Sequence, residues 1–196
     1  VTKICVIFSI AYFTVFSQAW AGGGRQKEPS KAWDAKVKLV NFQKEEEKKI
    51  LKAVKLLKKI ITSKIFRERI QGYTYNGKKE FVDNQGLTNE EIYYKILDGA
   101  EHIGNTAKNS QMDVEIELYH QMSNTIGYTY PHTSRIWMNR KYFSRYNPVK
   151  IADNLMHEWM HKLGFTHPTR WTKDRDHTVP YAVGYLIEEL SQKLSE

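Results

Sequence analysis

The chain has 196 residues, of which 41% are hydrophobic and 27% charged, an ordinary balance for a globular protein. That length suits one domain and is too short for two comfortable ones, and no internal repeat divides it. The net charge of +8 favours acidic partners or anionic surfaces, but much of the lysine lies on one helical run, so the charge does not mark a specific nucleic-acid binder.

The first residues read as an address. Lys3 precedes an apolar run over residues 4–16, and Ala19-Trp20-Ala21 has the A-x-A form of a cleavage site, so residues 1–21 are expected to be a signal peptide. The run is too short to span a bilayer with ease, which leaves no stable membrane span after cleavage; an uncleaved anchor on a Gly22–Gly24 tether is the other reading. The protein is therefore expected to be exported, to a bacterial periplasm or beyond it. Cys5 is the only cysteine and falls in that segment, so stability is expected to come from the core rather than from disulfides. Residues 22–41, opening with GGGRQKEPS, are expected to form a flexible linker, and residues 42–196 a single, monomeric domain.

Beyond Phe42, Ile50, Val54, Leu57, Ile61 and Ile65 recur at helical spacing with acids early and bases late. This predicts one long amphipathic helix whose lysines face solvent. Asn76-Gly77 between two β-type runs predicts a hairpin turn. Thr88 and Glu91 have the spacing of a capping box, opening a helix that runs through Ile92, Tyr93, Ile96 and Leu97 to about His102. From Val114 to Tyr119 apolar residues alternate with Glu115 and Glu117, as in a half-exposed strand; two extended pieces follow at 126–130 and 135–138, around a turn with Pro131. Asn147-Pro148 supplies an N-cap and a first-turn proline for a helix whose stripe Ile151, Leu155, Trp159 and Leu163 faces the core. A last helix is expected from Pro180 through Tyr181, Val183, Leu186, Ile187 and Leu190.

The chemistry concentrates in His157–His167, HEWMHKLGFTH. His157 and His161 stand one turn apart on one helix face and can reach one ion. Glu158 leans over the same place without having to ligate, where a general base for a metal-bound water belongs. Gly164 can take the left-handed conformation that ends a helix and turns the chain back to deliver His167. Three neutral nitrogens and one open position make a catalytic zinc arrangement; a structural site would be closed by four protein ligands. His102, His120, His132 and His177 are read as surface or hydrogen-bonded histidines, and the acids around His177 as a charged loop.

With all five positions of HExxHxxGxxH present, the sequence resembles the metzincin clan of zinc endopeptidases at His157, Glu158, His161, Gly164 and His167. The resemblance implies an α+β fold: a twisted mixed sheet, a long backing helix, an active-site helix and a C-terminal helix below the cleft. It also implies that residues Gly127, Tyr128, Thr129 and Tyr130 hold an extended peptide by strand addition; an ordinary sheet edge is the competing reading. The methionine that metzincins keep in a turn under the metal is missing, since none follows Met160. In His177-Thr178-Val179-Pro180-Tyr181, Val179 would stand at that position. Tyr181 would then correspond to a tyrosine that stabilises the reacting oxyanion in astacin-like and serralysin-like members, or would simply pack at the start of the last helix. The expected activity is zinc-dependent cleavage of proteins or peptides with one catalytic Zn2+; a zinc-loaded but inactive binding protein of the cell envelope is the alternative.

Overall fold

A computed structural model describes residues 32–99, 101 and 108–194. The expected signal peptide, the first half of the expected linker and His102 lie outside the described residues. The fold is α+β: a mixed four-stranded sheet packed against helices, closed by a C-terminal helix.

The sheet begins inside the stretch expected to be linker. Strand β1, Asp34–Val40, pairs in parallel with β2, Gln111–Tyr119. Lys36 and Lys38 project to solvent, while Ala35, Val37 and Leu39 pack on the core, an alternation hidden among polar neighbours. Trp33 is buried just before the strand and meets Trp159 edge-on at 5.7 Å. β2 buries Met112, Val114, Ile116 and Leu118 on one face and pairs on its other side with β4, Arg135–Asn139, again in parallel. β3, Gly127–Thr129, runs antiparallel to β4 at the edge, giving the order β1-β2-β4-β3 and leaving one side of β3 unpaired among the described strands.

The expected long helix is two helices. α1, Lys44–Ile61, buries Ile50, Ala53, Val54, Leu57, Ile60 and Ile61. After Thr62 the chain turns extended at Ser63, which caps α2, Lys64–Gln71, by accepting from the Phe66 amide at 3.2 Å. The new cap re-aims the apolar face, so Phe66 and Ile70 are buried and Ile65 only borders the core. Around Asn76-Gly77, both at positive φ, a tight turn forms with a single bridge from Tyr75 to Lys78 and no hairpin strands. α3, Asn89–Asp98, carries the Thr88–Glu91 capping box and ends at the left-handed Gly99, short of His102.

A short helix, α4 (Arg140–Phe143), leads into α5, Pro148–Lys162, whose first turn is capped by Asn147 accepting from the Lys150 amide. Ile151, Leu155, Trp159 and Leu163 are at most 1% exposed, so this stripe anchors the helix between the sheet, α1 and α6, Val179–Lys193. Lys162, at the end of α5, is also fully buried: its Nζ donates to the carbonyls of Tyr130 (2.8 Å) and Thr133 (2.5 Å), tying α5 to the β3–β4 turn. Within the described residues, no helix is long and apolar enough to cross a membrane.

Candidate metal centre

His157 and His161 project from the same face of α5, one turn apart, with ring centroids 5.1 Å from each other. The helix then stops at Leu163. Gly164 takes φ 94°, its amide bonds the His161 carbonyl, and the Phe165 amide reaches back to the Met160 carbonyl. A side chain at residue 164 would strain that left-handed turn. The turn drives Phe165 into the core and returns the chain beside α5, which brings His167 to ring distances of 5.1 Å from His157 and 4.9 Å from His161.

One ligand atom from each of the three histidines lies within 4.8 Å of the other two, and no other such group of histidines and acids forms among the described residues. His157 Nε2 and His167 Nε2 are 3.2 Å apart. Two nitrogens bound to one tetrahedral zinc stand about 3.3 Å apart, given bonds of roughly 2.0–2.1 Å, so the pair is spaced as ligands of a common ion. Each ring is fixed by a backbone carbonyl. His161 Nδ1 lies 2.8 Å from the Phe165 oxygen and His167 Nδ1 3.0 Å from the Pro168 oxygen, while His157 hydrogen-bonds the backbone of Pro180. Carbonyls accept only, so each bonded nitrogen carries the proton and the other ring nitrogen offers a lone pair. Burial holds all three rings neutral, with His161 pushed down to about 4 and His157 well below the ordinary imidazole value. The residues present therefore fit a metal ion: three convergent, neutral, oriented imidazoles.

Glu158, beside His157 on α5, lies against β3 and is 4% exposed. Burial pushes its carboxyl up to about 8, opposed by the positive charge of Lys162. A β-carbon on Gly127 would lie 3.3 Å from Glu158 Oε1 and 2.8 Å from Asn154 Oδ1, so the bare backbone of β3 lets α5 and this carboxylate approach. Residue 127 thus adjoins the candidate base. Thr129 shares its face of β3, and its hydroxyl donates to the Arg135 carbonyl. Tyr128 stacks on Trp137 at 5.1 Å, and the half-exposed Tyr130 packs against both Tyr128 and Trp137. The two tyrosines therefore belong to an aromatic cluster on the opposite face of the sheet from Glu158.

Val179 is fully buried at the start of α6. Two residues on, the Tyr181 ring contacts His157 at 4.4 Å and His167 at 4.7 Å, which brings its side chain to the histidine cluster rather than into the core. Its approach is set by a clamp. The Val82 amide bonds the His177 carbonyl, Tyr73 Oη lies 2.8 Å from His177 Nδ1, and Tyr75 stacks on that imidazole at 3.7 Å. His177 is thereby occupied as a structural hydrogen-bonder; His120 and His132 are exposed. Arg175, in the single 3-10 turn Arg175–His177, donates to the Tyr181 hydroxyl. Sequence patterns hold no trace of this arginine, which sits in an unremarkable charged loop. Lys162 is equally hidden, because a lysine at a helix end ordinarily reaches solvent.

Compared with known proteins, the chain matches no family model and no curated sequence.

Proposed function

We propose that the protein is an exported zinc-dependent endopeptidase of metzincin type, acting on proteins or peptides as a monomer. The observation that carries this reading is the convergence of three carbonyl-oriented, neutral imidazoles beside a buried glutamate and an open strand edge. His157, His161 and His167 would hold the ion. Bound there, zinc would act as a Lewis acid on the scissile carbonyl and lower the pKa of a water molecule to about 7.

The chain's own residues supply the rest. Glu158, poorly solvated and without a hydrogen bond among the described residues, would be drawn back to its ionised form by the charge of an ion held at the histidines, and in that form accepts the proton of the attacking water and returns it to the leaving amine. The free edge of β3 at residues 127–129 takes an extended peptide by main-chain hydrogen bonds, and Gly127 keeps that backbone close to Glu158. Tyr181, whose ring touches two of the histidines, offers its hydroxyl to the oxyanion. Val179 fills from below the place that a methionine has in the clan.

The test is cleavage of a mixed peptide library by the native protein and by Glu158→Ala, with metal analysis of both. The reading predicts about one zinc in each and cleavage by the native form alone. Zinc in both without cleavage would favour a zinc-loaded binding protein of the envelope, and no zinc in either would overturn the metal site.

A further inference from the structure

Arg175 is a charge that the proposed reaction does not use. It stands between Asp174 and Asp176 and pairs with neither. Asp174 accepts from the Tyr75 hydroxyl at 2.7 Å, and Asp176 Oδ1 lies 3.5 Å from the Tyr185 hydroxyl. The 3-10 turn splays these neighbours, so the arginine alone turns toward the metal site. Among the described residues its side chain makes one hydrogen bond, to the Tyr181 hydroxyl, and its guanidinium lies over that ring at 4.5 Å. Its Nε is buried and has no hydrogen-bond partner among the described residues.

The Tyr181 ring lies against His157 and His167, so the guanidinium stands one aromatic ring from the convergent nitrogens. The imidazoles are neutral and a bound cation would add positive charge, while the acids that act on His167 and Tyr181 from nearby, Asp83, Asp176 and Glu158, form no ion pair with Arg175 among the described residues. Among the described residues, this partly buried arginine has no carboxylate in ion-pair contact, the partner that ordinarily accompanies a desolvated charge. Guanidinium carries five N–H groups in a planar fork that matches a carboxylate, and here Tyr181 occupies one arm and holds the plane.

We propose that Arg175 is a specificity determinant that binds a carboxylate of the substrate, so that the site prefers peptides bearing an acidic group close to the scissile bond. The inference rests on reading the site as a peptide hydrolase. The carboxylate can belong to a Glu or Asp side chain or to a free chain terminus. Both offer the same two oxygens, but the first gives interior cuts and the second trimming from the end.

Two matched pairs of peptides separate these sources: an amidated peptide with one Glu against its Gln counterpart, and a neutral peptide with a free against an amidated C-terminus. Each is assayed for kcat/KM with the native protein, and for binding by calorimetry to the zinc-loaded Glu158→Ala variant. One pair is expected to show a preference for the acid of about tenfold to a hundredfold in both assays. Arg175→Gln is expected to reduce that ratio to within about twofold and Arg175→Lys to keep part of it, since a lysine holds the charge without the fork. Cleavage with no acid preference, or a preference that survives Arg175→Gln, overturns the proposal and leaves the hydrolase standing. An acid preference in binding that needs Arg175, without cleavage, upholds the carboxylate site and sinks the hydrolase. No binding of any peptide overturns both. Should Arg175→Gln fail to fold, the native preferences and Arg175→Lys decide.

Discussion

Gly127 and Glu158 face each other across the β3–α5 seam with no room for a side chain between them: a β-carbon at residue 127 would lie 3.3 Å from Glu158 Oε1 and 3.1 Å from the Trp137 carbonyl. The strand edge and the candidate base are thus positioned by each other. Gly127→Ala is expected to lower stability by about 1–2 kcal/mol and to cut hydrolysis at least tenfold by displacing Glu158. The nearest obstacle is Asn154 Oδ1 at 2.8 Å, a movable side chain. Adding Asn154→Ala should therefore return part of the stability in thermal unfolding; no return would mean that the carbonyl of Trp137 is the true limit.

Zinc is expected to bind the native protein at about one per chain and to raise its melting temperature, and replacing any one of His157, His161 and His167 by Ala to lower the zinc content well below one and abolish that rise. At a thousand times its dissociation constant a ligand stabilises by about 4 kcal/mol, so the shift should be plain in a melting curve. Glu158→Ala should keep that shift. Stabilisation by zinc that persists in all three histidine variants would place the ion elsewhere.

Lys162→Met is expected to destabilise by about 2–4 kcal/mol, because it strands the Tyr130 and Thr133 carbonyls that share this ammonium. Burial already lowers the lysine to about 8, so its charge is held at a cost and its hydrogen bonds are what favour keeping it. Faster hydrogen exchange in the β3–β4 turn should accompany the lost stability. Unchanged exchange there would show that the tie to α5 does not hold the strand edge in place.

Asp153 predicts a pH dependence. Burial raises its carboxyl from the ordinary 3.8 to about 6; Glu188 adds to the rise and Lys150 opposes it. The folded state therefore holds this proton more tightly than the unfolded chain. Its contribution favours folding most at low pH and is lost as pH rises from about 4 to about 6, by up to roughly 2–3 kcal/mol. Asp153→Asn should flatten that part of the profile and leave the variant more stable than native at pH 7 in urea titrations. A parallel pair of profiles would refute the assignment.

Elements whose determinants are local were the legible ones. The Asn147 cap, the Thr88–Glu91 box, the alternation of β2 and the glycine after His161 each act within a few residues, and the structure holds them there. The misread features depend on distant partners. β1 is a strand because β2 lies beside it, and its lysines made the segment look like linker. Thr62-Ser63 breaks the long helix because Ser63 caps a new one, whereas serine within a helical run is common enough to pass unnoticed. Of the candidate site, the histidine spacing was readable. The approach of Tyr181 was offered by the resemblance alone, as one of two readings, because it depends on a clamp between residues 73–82 and the turn at His177, about a hundred positions along the chain.

The pairing of β1 with β2 also governs the order in which the molecule can assemble. Asp34 meets Gln111, so the first strand has no neighbour until the chain has been made past a point more than seventy residues on. The α5–α6 pair and the β3–β4 hairpin close over far shorter spans and can form without it. Sheet closure by β1 then comes late, and through that interval β2 exposes a bare edge able to accept any extended segment. Trp33, which must find Trp159 as that strand docks, is placed to report the event by its fluorescence.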